Sequence, residues 1–185
     1  MHDVALLIID MQKAYFNAEN LKENQTRLVD NINELIQITA SHSGHVFNIC
    51  TEHASDRSTW TLNMLEDEQG FLLHDSEEAE NVPRLDVKDA TRVVKTRDSA
   101  FYGTDLEATL HDRGIRTLIL CGVSIHSCIM QTASDAYAAD FKVILAKDAV
   151  ADDKPEYIDT VTNLLKQEYR HIIQSNDMIK HGTSS

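Results

Sequence analysis

The sequence predicts an α/β fold: an open, mostly parallel, doubly wound sheet of six strands with helices on both faces, a three-layer α/β/α sandwich. Three observations carry this. Short continuous apolar runs, Val4–Ile9 above all, are bounded by polar residues and suit strands buried on both faces. Stretches of helical apolar periodicity lie between them. Strand, helix and strand in this order make a βαβ unit, which is parallel and right-handed in nearly all cases.

The first strand, Val4-Ala5-Leu6-Leu7-Ile8-Ile9, ends at Asp10, which emerges at its carboxyl end. On that stretch alone Asp10 reads first as a turn aspartate. Residues 25–40 form a helix, with Leu28, Ile32, Leu35 and Ile36 on one face and Ile38 nearby, and Gly44 breaks it. His45-Val46-Phe47-Asn48-Ile49-Cys50 is the second strand. Residues 51–85 are long and irregular, with a short helix at 60–65, and a connection of this length is often functional. His53 within it reads as a surface loop residue first, a substrate contact second and a metal ligand third. Trp60, the sole tryptophan, reads as core before pocket wall.

Residues 91–96 form the third strand, with Lys95 at its end, followed by the loop Arg97-Asp98-Ser99-Ala100-Phe101-Tyr102-Gly103. Thr104 and Glu107 have capping-box spacing and start the next helix, whose inner face is Leu106, Leu110 and Ile115 and whose end is Gly114. Thr117-Leu118-Ile119-Leu120-Cys121 is the fourth strand, and residues 129–139 are the following helix, with Ile129, Ala133, Ala136 and Tyr137 at core spacing and Ala138 and Ala139 adding to its small residues. Residues 141–146 make the fifth strand. Asp153-Lys154-Pro155-Glu156 starts a helix carrying Ile158, Val161, Leu164, Leu165 and Tyr169, and residues 171–174 make the sixth strand. The remainder, through Ser185, reads as a frayed tail.

The 185 residues fit a single domain over 1–185. Thirty acidic residues against 17 basic give a formal net charge of -13, which argues against nucleic acid or an anionic membrane as partner. No apolar run approaches the ~20 residues of a membrane span, and the start has no basic leader. Three cysteines, Cys50, Cys121 and Cys128, stand in no metal spacing and fit reduced thiols in a cytoplasmic protein. No Gly-x-Gly-x-x-Gly or Walker-type lysine loop follows any strand, so no dinucleotide or phosphate-loop cofactor is expected.

Chemistry is expected where Gly122-Val123-Ser124-Ile125-His126-Ser127-Cys128 joins strand to helix. Cys128 falls near a first helical turn, whose free N–H groups favour a thiolate nucleophile. The bland alternative is one more small buried apolar residue. Asp10, Lys95 and Cys128 all fall at or beyond carboxyl ends of strands, the edge where open α/β sheets bind ligands. If they converge, the thiolate attacks a carbonyl-type carbon, Asp10 shuttles its proton, and Lys95 lowers the thiol pKa.

Three separated motifs then resemble one family. They are Ile8-Ile9-Asp10-Met11-Gln12, residues 95–106 from Lys95 through Ser99-Ala100-Phe101-Tyr102-Gly103-Thr104, and residues 118–128 with Thr132-Ala133-Ser134-Asp135-Ala136 beyond. The chain resembles the isochorismatase-like hydrolases, also called cysteine hydrolases or nicotinamidase-related proteins. That resemblance implies their Rossmann-like fold, a catalytic triad of Asp10, Lys95 and Cys128, a cis peptide between Val123 and Ser124, and a homo-oligomer, dimer or tetramer. Amides of Ser124 and Cys128 are then the oxyanion-hole candidates, and Phe16, His53, Trp60 and Tyr102 the substrate-binding candidates. Two departures stand out. The family commonly has Thr where this chain has Ile125. The nicotinamidase branch places an aspartate and histidines after its second strand as a metal site, whereas here the segment is Thr51-Glu52-His53-Ala54-Ser55-Asp56. No zinc or other metal is therefore expected.

The expected function is a cofactor-free cysteine hydrolase that cleaves a small amide-type C–N bond through a thioester at Cys128. Two alternatives remain: a vinyl-ether hydrolase of the isochorismate type, with Asp10 as the acid, and a non-catalytic oligomeric binding protein on the same fold.

Overall fold

The computed structural model describes residues 2–182, and the end of the expected tail, residues 183–185, lies outside them. The strands are β1 Val4–Ile9, β2 His45–Thr51, β3 Thr91–Lys95, β4 Thr117–Gly122, β5 Lys142–Val150 and β6 Ile172–Gln174. They form one sheet in the order β3-β2-β1-β4-β5-β6, and every ladder is parallel. The helices are α1 Glu19–Ser41, α2 Leu62–Glu66, α3 Leu106–Asp112, α4 Met130–Ala138, α5 Glu156–Glu168 and α6 Asn176–His181.

The period of two along β1 builds both cores. Leu6 and Ile8 face one side, where they pack with Ile119, Cys121 and the α1 residues Leu28, Val29, Ile32 and Leu35, while Ile179 of α6 closes that layer. Ala5, Leu7 and Ile9 face the other, against Leu106 and Leu110 of α3, Ala133 and Ala136 of α4, and Val161 and Leu165 of α5. No helix among the described residues is long and apolar enough to cross a membrane.

Several expectations are corrected. Helix α1 starts earlier than expected, at Glu19. The capping box does not form: Asp105 occupies the cap position of α3 with no side-chain bond, and the Thr104 hydroxyl instead donates to the Ala100 carbonyl at 2.6 Å. Nor does Asp153 cap α5; Asp152 accepts the Lys154 N–H at 2.8 Å. Tyr137 is exposed, resting edge-on against Tyr169, and Ala138 is exposed too. Much of the expected tail is helix α6, capped by the Ser175 side chain on the Met178 N–H.

Candidate active site

The sheet order reverses direction at β1. From there the chain steps outward to β2 and β3, then returns to place β4 on the other side of β1. Crevices in such sheets open at the carboxyl ends beside that switch. Asp10 follows β1 directly, with φ 53° and its backbone N–H donating to the Ile49 carbonyl at 2.9 Å. Aspartate tolerates this left-handed conformation better than most residues. Lys95 ends β3, in register with Thr51 of β2. Its strand is two places from β1, roughly 10 Å away, and its side chain reaches over β2 to cross that gap.

The Lys95 ammonium donates to Asp10 Oδ2 at 2.9 Å, Thr51 Oγ1 at 2.7 Å and the Arg97 carbonyl at 3.1 Å, and lies 3.6 Å from Cys128 Sγ. Thr51 in turn donates its hydroxyl to Asp10 Oδ1 at 2.8 Å. The structure thus brings Asp10, Lys95 and Cys128 together. It buries them almost completely, with Asp10 at 0%, Lys95 at 1% and Cys128 at 4% exposure.

Cys128 is placed by a turn that starts at a glycine no other residue can replace. Gly122 has φ 111°, and a Cβ there would meet the Ile9 carbonyl oxygen at 2.0 Å, so no other residue fits between β4 and β1. The Val123–Ser124 peptide is cis. Residues Ile125–Ile129 then form one wide, π-type turn before α4 begins. Asp152, fully buried beyond β5, clamps this turn: its carboxylate accepts the His126 backbone N–H at 2.9 Å and the His126 Nδ1–H at 2.7 Å. The Ile125 N–H donates to the Ala151 carbonyl at 3.2 Å.

The expectation of a resting thiolate at a helix start is corrected. Burial pushes the Cys128 thiol well up, the Asp10 charge pushes it further, and Lys95 offsets only part of this. The physical reason is charge counting. One ammonium serves two potential anions, and it lies closer to the carboxylate, at 2.9 Å, than to the sulfur, at 3.6 Å, so the resting proton stays on sulfur. Burial pulls the Lys95 ammonium down, but its partners, the Asp10 carboxylate foremost, more than restore it, and its pKa ends above the usual lysine value.

The remaining expected residues fall out unevenly. The Ser124 amide opens the wide turn and the Cys128 amide lies inside it. Phe16 is buried in the α1-side core, and its neighbour Tyr15 is the aromatic beside Thr51, Asp10 and Cys128. Burial, with the charge of Asp10, holds the Tyr15 hydroxyl well above its ordinary pKa, so it stays neutral. His53 is 3% exposed rather than a surface residue, and its Nδ1–H donates to the Thr59 carbonyl at 2.9 Å. Burial pulls its pKa down, and Arg97 and Lys95 add to that. Trp60 is buried and ties its own loop together through Nε1–H to the Ala54 carbonyl at 2.9 Å. Tyr102 is 67% exposed on the loop before α3.

Sequence reasoning missed Thr51, Tyr15, the Asp152–His126 clamp and Asp98, whose Oδ1 lies 3.9 Å from Cys128 Sγ. Residue type gave a faint signal only for Asp152, an aspartate just past a strand end. The others are set by contacts distant in the chain.

The donor set after β2 does not fit the metal site of the nicotinamidase branch. Glu52 is turned to Arg92 and to His74 Nδ1, and His53 has one ring nitrogen committed to Thr59. Among the described residues the one cluster of three possible ligands is His126, Asp152 and Asp153, and there Asp152 is already the clamp of the Cys128 turn.

Comparison with known proteins shows the family and the fold. The family model described as "Isochorismatase domain" matches residues 4–177. The "Probable inactive nicotinamidase" of Arabidopsis thaliana is 30% identical over 163 residues, covering 83% of each chain. Among solved structures, an isochorismatase family protein from Desulfovibrio vulgaris superposes with a TM-score of 0.86 at 27% identity, covering 97% of each chain. The nicotinamidase PncA of Bacillus subtilis gives a TM-score of 0.79 at 28% identity, covering 94% of this chain and 100% of that one.

Proposed function

Because the chain belongs to the isochorismatase family of hydrolases, we propose that it is a cysteine hydrolase that cleaves a small amide-type C–N bond through a thioester on Cys128. The observation that carries this is the Lys95 ammonium lying 2.9 Å from the Asp10 carboxylate and 3.6 Å from the Cys128 sulfur in one buried cluster. A mere packing role needs none of these three groups, since buried charges are costly unless they serve one another.

The steps follow from the resting proton on sulfur. As the amide carbon meets Cys128, Asp10 takes the thiol proton and the sulfur forms its bond to carbon. The carbonyl becomes an oxyanion, for which the Ser124 and Cys128 amides are the donors. The C–N bond breaks as Asp10 returns the proton to nitrogen, and the amine departs. Water then attacks the thioester, giving its proton to Asp10, and the carboxylic acid leaves as sulfur regains that proton. Lys95 stays charged throughout and stabilises whichever of Asp10 and Cys128 is anionic. Net, one amide and one water give one acid and one amine.

The same reading holds the chain to a small-molecule substrate and no cofactor. It takes the chain as a homo-oligomer, dimer or tetramer, in the cytoplasm. The net charge of -13 disfavours nucleic acid or an anionic membrane as partner. The test is turnover on a panel of amides and ureas by wild type and Cys128→Ala. The variant should lose at least ~10³-fold of the rate, as expected for loss of a covalent route. Full activity in the variant would refute the thioester, and activity on an isochorismate-type vinyl ether that needs Asp10 but not Cys128 would replace it.

A further inference from the structure

The groups around the Cys128 sulfur do not balance in charge. Lys95, the one ammonium in the cluster, pairs with Asp10 and directs its other donors to Thr51 Oγ1 and the Arg97 carbonyl. Arg97 is committed to loop carbonyls, giving NH1 to Thr59 at 2.8 Å and NH2 to Trp60 at 3.4 Å. His53 donates to Thr59 and is held neutral, and the Tyr15 hydroxyl is neutral. That leaves Asp98. It is exposed, it makes no ion pair among the described residues, its Oδ2 accepts Gln131 Nε2–H at 2.6 Å, and its Oδ1 lies 3.9 Å from Cys128 Sγ. Asp98 thus sets a second carboxylate beside the sulfur against the single Lys95 ammonium, in a chain whose net charge is already -13.

We propose that Asp98, held by Gln131 beside the Cys128 sulfur, selects neutral or cationic N–H-bearing substrates, such as carboxamides, ureas or amides carrying an ammonium, and rejects those with a carboxylate next to the scissile bond. This rests on the cysteine-hydrolase reading and narrows its substrate class. Two effects work together. The free lone pairs of Asp98 accept an N–H from the amide nitrogen as it is drawn over Cys128, and an N–H donor is what every unsubstituted amide or urea presents there. A carboxylate in the same place would meet Asp98 at close range, with the one Lys95 ammonium already paired to Asp10, and like charges brought this close discriminate by about tenfold or more. A doubly anionic vinyl ether of the isochorismate type is the substrate this mouth suits least.

The test needs no known substrate. Cys128 is modified with two methanethiosulfonates of similar size, one ending in trimethylammonium and one in sulfonate, and the rates are read by mass spectrometry of the Cys128 peptide. Each rate is divided by that of a small neutral thiol. In the wild type the cationic reagent should be favoured by about tenfold or more, and in Asp98→Asn that preference should fall by about tenfold. Asp98→Glu should keep most of it. A cation preference unchanged in Asp98→Asn, or absent in the wild type, overturns the inference and leaves the cysteine-hydrolase reading standing. A Cys128 that reacts with neither reagent, nor with the small neutral methyl methanethiosulfonate, overturns that reading, and the inference with it.

Discussion

Replacing Lys95 by methionine shortens the unbranched side chain by one atom and removes its charge. Lys95 and Asp10 are both fully buried at the side chain and meet at 2.9 Å, so the substitution leaves a carboxylate in the interior without its cation. Breaking one half of a buried pair costs about 3–5 kcal/mol. For a chain of this size each kcal/mol moves the melting temperature by about 2–4 °C, so the melt should drop by roughly 6–20 °C. Removing both charges, as Asp10→Asn with Lys95→Met, should recover much of the loss, giving a coupling of at least ~2 kcal/mol in the double-mutant cycle. The pH window follows from the raised Lys95 pKa. Its folded value lies above 10.5, so its stabilisation is fully present below 10.5 and is lost as pH rises through the folded value. The gap between wild type and Lys95→Met should therefore stay constant from pH 6 to about pH 9 and shrink in stronger alkali, as read by urea denaturation followed by circular dichroism. A single-variant cost under ~1 kcal/mol, or single costs that simply add in the double variant, would refute the buried-pair argument.

Three further outcomes are expected. Gly122→Ala puts a Cβ 2.0 Å from the Ile9 carbonyl at φ 111°, so the soluble yield should collapse or stability fall by at least ~4 kcal/mol. Asp152→Ala strips the acceptor from the His126 and Lys154 N–H groups, and should cost about 2–4 kcal/mol and slow Cys128 alkylation by roughly tenfold while leaving the fold's circular dichroism unchanged. Burial pushes the Cys50 thiol from 9.0 to about 11, so its contribution is intact below pH 9 and disappears as pH rises toward 11; Cys50→Ala should flatten that alkaline limb by about 2–3 kcal/mol in urea melts taken at each pH.

The sheet was legible because its central strands are continuous apolar runs, a signal that needs no distant partner. The alternation inside β1, which sends Leu6 and Ile8 to one layer and Leu7 and Ile9 to the other, is a direct consequence of strand geometry. Helix ends were less legible. The first turns of α1 carry Leu21 as their one buried residue, so apolar periodicity begins only at Leu28. Helix α6 is short and polar, and its signals were local: Ser175 at the cap and Gly182, at φ 57°, past the end. Thr104 and Glu107 had the right spacing for a box, but the Thr104 hydroxyl is satisfied by Ala100.

At the site, Asp10 and Lys95 could be picked out because they stand at strand ends, and Cys128 because it lies in the strand-to-helix turn just beyond one. Thr51 could not, because its place depends on the β2–β3 register that sets it opposite Lys95. The choice between Tyr15 and Phe16 turns on a single short helical turn, where adjacent residues face different ways. The ionisation of Cys128 was misjudged for a reason of the same kind. Its burial, and the competition of Asp10 for one ammonium, are properties of the assembled cluster.

The most direct test of the central claim is the mass of the protein caught during turnover. Acid quenching of wild type with an amide it hydrolyses should show the acyl group on the peptide containing Cys128, and none in Cys128→Ala. Turnover at the wild-type rate by Cys128→Ala, with no acyl mass on any cysteine of the wild type, would contradict the account.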